Sequence, residues 1–138
     1  MKPITYPIDF EQTKYLVLLL FLLLYPVVNS YKCGQPLLMT ASASAGIASI
    51  NHWHSAENGI RLKIDIFCAR TSFTIYLING ILFIDSYTVA FPMLLLCFLF
   101  YMLSQLLAQM GYKQWVLCHA LFHFTVMVMQ QMVITSKK

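Results

Sequence analysis

Charge is what this chain has least of. Only 10% of its 138 residues are Asp, Glu, Lys or Arg, five acids against nine bases, where a soluble domain carries about 25%. So few ionisable groups cannot cover the surface of a water-soluble fold, which excludes that class. The bases are scattered and form no basic stripe with interleaved aromatics, so nucleic acid is excluded as a partner. Cysteine is sparse too. Residues 33, 68, 97 and 118 show no CxxC or other knuckle spacing, which leaves them as free packing thiols. No linker marks a second domain.

What fills the chain is apolar: 59% of the residues are hydrophobic and the mean hydropathy is +0.70. Uncharged runs cover 15–31, 33–56, 86–112 and 114–136, and Ile66 to Ile84 is broken only by Arg70. Each is close to the roughly 20 residues that a helix needs to cross a bilayer. The reading is an all-α, polytopic transmembrane bundle, one domain over residues 1–138, with helices at about 14–31, 36–54, 65–84, 87–109 and 114–135. The first run, YLVLLLFLLLYPVV, follows Asp9 and Glu11 as well as lysines, so it is read as a retained helix instead of a signal peptide. Pro26 is expected to kink it or end it near the interface.

Helix two carries ASASAGIAS, with Ala41, Ala45 and Ser49 recurring four apart, a face that lets another backbone approach closely. Helix four is uncharged and reads as scaffold. Five helices alternate between two membrane sides, X and Y. His52 and His54 close helix two on side X, Asp65 opens helix three there, and His119 and His123 lie in the first turns of helix five, also on side X. Asp85 falls on side Y. Side X carries Lys2, Lys14, Arg61, Lys63 and Lys113 against Lys32, Lys137 and Lys138 on side Y, so the positive-inside rule puts side X in the cytoplasm or its equivalent. Arg61 and Lys63 read as snorkelling to phosphates. Arg70 is left to reach an anionic headgroup or a partner subunit.

Ionisable groups at membrane depth are functional hypotheses by default. His119 and His123 are i and i+4, so both imidazoles leave one helical face and can share a metal ion. A third histidine, His52 or His54, would complete a three-His set with an open fourth position, in which zinc lowers the pKa of bound water to about 7. Ser49 stands one turn before His52 on its face. Asp65 is placed either as general base or to orient a ligand histidine.

This pattern of a serine and histidine ending one helix, an aspartate opening the next and HxxxH in WVLCHALFH resembles the CREST superfamily of membrane hydrolases. That superfamily includes alkaline ceramidases, progestin and adiponectin receptors, and GPI-anchor lipid remodelling proteins. The resemblance implies a seven-helix fold in which three histidines hold zinc and a lipid amide or ester is hydrolysed near the interface. Carried over, His119 and His123 are the HxxxH ligands, Asp65 the helix-three acid and Ser49 the serine. The family spaces serine and histidine four apart; His52 follows Ser49 by three and His54 by five, so both stay open as third ligand. Two helices fewer than the family leave the sidedness of every motif unchanged.

HSAENGIRLKID also resembles the HxxNGIRHxxxD segment of the succinate dehydrogenase cytochrome b subunit, a respiratory membrane anchor whose histidine binds haem b near quinone. Here His54 is the matching histidine, with one residue inserted before Asn58, Leu62 in place of the second histidine, and Asp65 one residue early. His119 and His123 cannot be opposite axial ligands of one haem, whereas His54 and His119 could. A third reading is a structural membrane subunit that packs against other subunits and lipids and binds no cofactor.

Overall fold

The computed structural model describes residue 8 and residues 10–136. Lys2, Asp9, Lys137 and Lys138, which entered the charge reading, lie outside the described residues. Among the described residues there is no strand. The described residues form five helices: α1 (Phe10–Lys32), α2 (Pro36–His54), α3 (Ile60–Phe83), α4 (Tyr87–Gln109) and α5 (Trp115–Ser136). Four of them, α1, α3, α4 and α5, are long and apolar enough to cross a membrane. The exception is α2, whose Ala, Ser and Gly lower its hydropathy but whose Leu38, Ala41, Ser42, Gly46, Ala48, Ser49, His52 and Trp53 are all buried.

Two boundaries differ from the sequence expectation, because α1 begins at Phe10 instead of 14 and α3 at Ile60 instead of 65. An apolar run measures how much helix can sit in hydrocarbon, not where backbone hydrogen bonding starts. After Gly59 nothing breaks the backbone, and Arg61 and Lys63 are good helix formers, so the first turn forms before the apolar run begins. Pro26 does not end α1. The helix tightens into a 3₁₀ turn at Phe21–Leu23 just before it and resumes over Leu24–Lys32, which accommodates the N–H that proline lacks. Gly34 and Gly111 follow α1 and α4 with φ of 65° and 76°, the left-handed conformation that closes helix ends and is cheap only without a Cβ.

Interhelical hydrogen bonds show how the helices run. Ile8 N–H donates to Ala56 C=O at 3.1 Å and the Thr13 hydroxyl to Trp53 C=O at 2.9 Å, so the start of α1 meets the end of α2. At the opposite end Gln35 Nε2 donates to Ile134 C=O at 3.0 Å and Asn29 Nδ2 to Gln131 Oε1 at 2.7 Å. The result is that α1, α3 and α5 run one way and α2 and α4 the other. The alternation read from sequence is therefore the alternation of the fold, and the ends of α2 and starts of α3 and α5 share one end of the bundle. α1 lies between α2 and α5; α3 packs on α2 and, more lightly, on α5; α4 packs chiefly on α5.

Two apolar cores result. One joins Leu16, Val17, Leu20 and Leu23 to Trp53, Ala56 and Trp115 at the histidine end. The other joins Leu38, Ala41, Tyr76, Val133 and Ile134 at the far end. The outer faces of α3 and α4 are apolar and exposed, Phe67 at 70% and Phe91 at 60% for example. In lipid, apolar faces give helices no preference for each other over solvent, so close packing and polar bonds hold the bundle.

A Cβ at Gly46 would stand 3.6 Å from the Leu23 Cβ, which is ordinary contact. Gly46→Ala is therefore expected to unfold in detergent at nearly the wild-type temperature. Gly46→Leu overpacks the α1–α2 contact at a cost of about 1–3 kcal/mol. Equal midpoints for the two variants would contradict this packing.

Candidate functional site

Sequence places Ser49 and Asp65 on different helices sixteen positions apart, and the fold brings them together. The Ser49 hydroxyl donates to Asp65 Oδ1 at 2.5 Å, inside the protein. Ser49 is 4% exposed and Asp65 9%. A carboxylate at this depth is expensive unless something donates to it, and this hydroxyl is the partner that α2 supplies.

His52 is one turn beyond Ser49 on α2 and is fully buried. Its ring lies 4.7 Å, centre to centre, from Trp53. Trp53 in turn meets His119 edge-on at 5.2 Å. His119 meets His123 at 4.9 Å with the rings near perpendicular, as i, i+4 side chains on one face must. Its Nδ1 lies 3.3 Å from the Ser104 hydroxyl of α4. One buried neighbourhood thus takes side chains from α2, α4 and α5.

His54 goes elsewhere. It is exposed and its ring meets Phe10 at a tilt, 5.5 Å centre to centre. Two residues apart on a helix means about 200° of rotation, so once His52 points inward His54 must point out. The pair His54 and His119, which the haem-anchor resemblance brings forward, is accordingly divided between the outer surface and the interior.

Below this cluster a cleft of about 350 Å³ runs between α3, α4 and α5, with Ala45 and Ser49 of α2 at its back. It exists because α3 packs on α2 and α4 on α5, while the two consecutive helices α3 and α4 touch at few places, among them the rings of Phe73 and Phe98, 6.1 Å apart, and the Tyr87 hydroxyl, which donates to Ile81 C=O at 2.6 Å. Most of its wall is apolar. Ser72 Oγ, His123 Nε2 and Gln130 Oε1 are buried in residues that line it and have no hydrogen-bond partner among the described residues.

Trp53, Ser72, Ser104 and Gln130 were not read as site residues from sequence. Trp53 had a visible signal, since HWH sandwiches it between two histidines, and Gln130 falls two turns from His123 on nearly the same face. Ser72 and Ser104 had none, because one serine in an apolar helix is indistinguishable from packing.

The donors are of the kind zinc accepts, the imidazoles of His52, His119 and His123 and, on α3, the Asp65 carboxylate, with His123 Nε2 unpartnered among the described residues. As placed, however, no three His, Cys, Asp or Glu side chains among the described residues converge on a common ion. A three-ligand site here requires side-chain rotation. No family model, no curated protein and no solved structure matches this chain.

The Ser49–Asp65 bond generates a quantitative expectation. In a double-mutant cycle of Ser49→Ala and Asp65→Asn, read by unfolding in detergent, the two substitutions should be non-additive by about 0.5–3 kcal/mol. Strict additivity would mean that the two side chains do not interact.

Proposed function

We propose that this chain is a polytopic integral-membrane hydrolase of the CREST kind, acting on an amide or ester bond of a lipid. The observation that carries the reading is the joining of Ser49 to Asp65, one turn from buried His52, with His119 and His123 reached through Trp53 and with Ser49 and His123 both in the wall of an apolar cleft. An acyl chain suits that cleft in size and polarity, and its reacting carbonyl would lie at the polar end. In the reaction water adds to the acyl carbon, the C–N or C–O bond breaks, and the leaving nitrogen or oxygen takes a proton. Asp65 with Ser49 is the group in this neighbourhood suited to holding a water and moving its proton.

Zinc belongs to the proposal, with His119, His123 and His52 as the residues that would hold it and His54 set aside by its outward position. When bound, it would lower the pKa of a water and polarise the carbonyl. No geometry is assigned to it.

The test is elemental analysis and an absorption spectrum of the detergent-purified protein, followed by hydrolysis assays on labelled ceramide and glycerolipid ester. About one zinc per chain is expected, lost together with turnover in His119→Ala/His123→Ala and in His52→Ala, and kept in His54→Ala. A Soret band would replace this reading with the respiratory anchor. Absence of zinc, haem and turnover would make the chain a structural subunit.

A further inference from the structure

Arg70 stands in the middle of a helix that is apolar enough to span a membrane. Ten residues of α3, about 15 Å of rise, separate it from Ile60. It is exposed, and it forms no ion pair among the described residues. A guanidinium facing hydrocarbon at this depth is costly, so such residues are kept where something neutralises them. None of the residues in the histidine cluster or the cleft does so.

What surrounds Arg70 points to the neutralising group. A groove of about 570 Å³ on the outer face of α3 is lined by Lys63, Ile66, Phe67, Arg70, Thr71, Thr74 and Ile75. Lys63 and Arg70 are seven residues apart, so they lie on nearly the same face, two turns or about 10 Å from each other. The Thr74 hydroxyl is already committed to the Arg70 carbonyl at 2.9 Å. Lys63 stands at the Ile60 end of the groove and Arg70 in its middle, with Ile66 and Phe67 between them and Thr71, Thr74 and Ile75 beyond. Two cations within a largely apolar groove offer a phospholipid a charge for its phosphate and an apolar wall for a chain.

We propose that this groove binds an anionic glycerophospholipid, with its phosphate between Lys63 and Arg70 and one acyl chain laid past Phe67 toward Ile75. Helical side chains lean toward the N-terminus, so Arg70 directs its guanidinium up toward the level of Lys63, where phosphates lie. A partner protein's carboxylate would have to be carried down into hydrocarbon to reach the same place, whereas a lipid phosphate is already at the surface. Charge complementarity therefore selects the lipid as occupant. The site is separate from the proposed hydrolase centre and stands or falls independently of it.

Native mass spectrometry of the full chain tests this, using micelles containing equal phosphatidylglycerol and phosphatidylcholine of matched chains. Wild type should retain phosphatidylglycerol preferentially. Arg70→Leu should weaken that preference about fivefold, Lys63→Gln should act in the same direction, and Arg70→Lys should keep part of it. Arg70→Gln serves the same purpose if the leucine variant does not purify as a monodisperse species. Equal retention of the two lipids by wild type, or an unchanged preference in the Arg70 variants, would overturn the proposal. So would displacement of the lipid by excess inorganic phosphate, which would make the site one for a free anion. A photo-crosslinker at Phe67 should capture lipid in native membranes; capture of a protein instead would overturn it as well.

Discussion

An aspartate buried in an apolar helix bundle must be given a donor, and satisfying Asp65 organises much of what surrounds it. Its partner is Ser49, which can reach it only if the small-residue face of α2 lies directly against α3. Further along the same contact Ser42 and Tyr76 pair at 2.6 Å, and the Tyr76 hydroxyl also donates to Leu38 C=O at 3.2 Å. Polar rungs at these two levels set the register of α2 against α3. With α2 held there, Gly46 admits Leu23 of α1, and His52 is turned inward toward Trp53 and His119. Each rung is modest, on average about 0.6 kcal/mol between helices in a membrane, but in lipid there is little else to choose one register over another.

The same arrangement leaves the cleft open. Because α3 is bound to α2 and α4 to α5, the chain's last hairpin is splayed from its third helix, with the Phe73–Phe98 ring contact and the Tyr87 hydroxyl bond to Ile81 C=O among the few bridges across the gap. Polar atoms that would be intolerable facing hydrocarbon singly are gathered into that wall. On the proposed reading the separation is what admits an acyl chain from the side, while the Ser49–Asp65 end supplies the polar chemistry. On that reading, stability is given up in the α3–α4 contact where the lipid would enter, a common feature of binding elements.

Much of the fold was legible in advance because membrane helices announce themselves by length and hydropathy. Five runs read as spans became five helices, four of them long and apolar enough to cross a membrane, and alternation alone placed His52, Asp65, His119 and His123 at one end. The HxxxH pair was equally legible, since i, i+4 geometry needs no tertiary information. The choice between His52 and His54 was not. Spacing puts them on opposite faces but does not say which face is inside; that depends on where Thr13 and Phe10 of α1 meet α2. The starts of α1 and α3 were placed late, because polar residues such as Arg61 and Lys63 carry helix without carrying hydropathy. Ser72 and Ser104 were illegible for a different reason, as their importance lies wholly in what packs opposite them.

The central claim is that α2 turns His52, not His54, toward the histidines of α5. The most direct measurement replaces the four native cysteines with alanine, then introduces paired cysteines at His52 and His119 or at His54 and His119. Treatment of native membranes with a short bifunctional thiol reagent is followed by mass spectrometry of the digested chain. The account predicts an intramolecular link in the first pair and little in the second. An equal or stronger link from position 54 would contradict it, because α2 would then be rotated and neither the Ser49–Asp65 bond nor the buried cluster could exist as described.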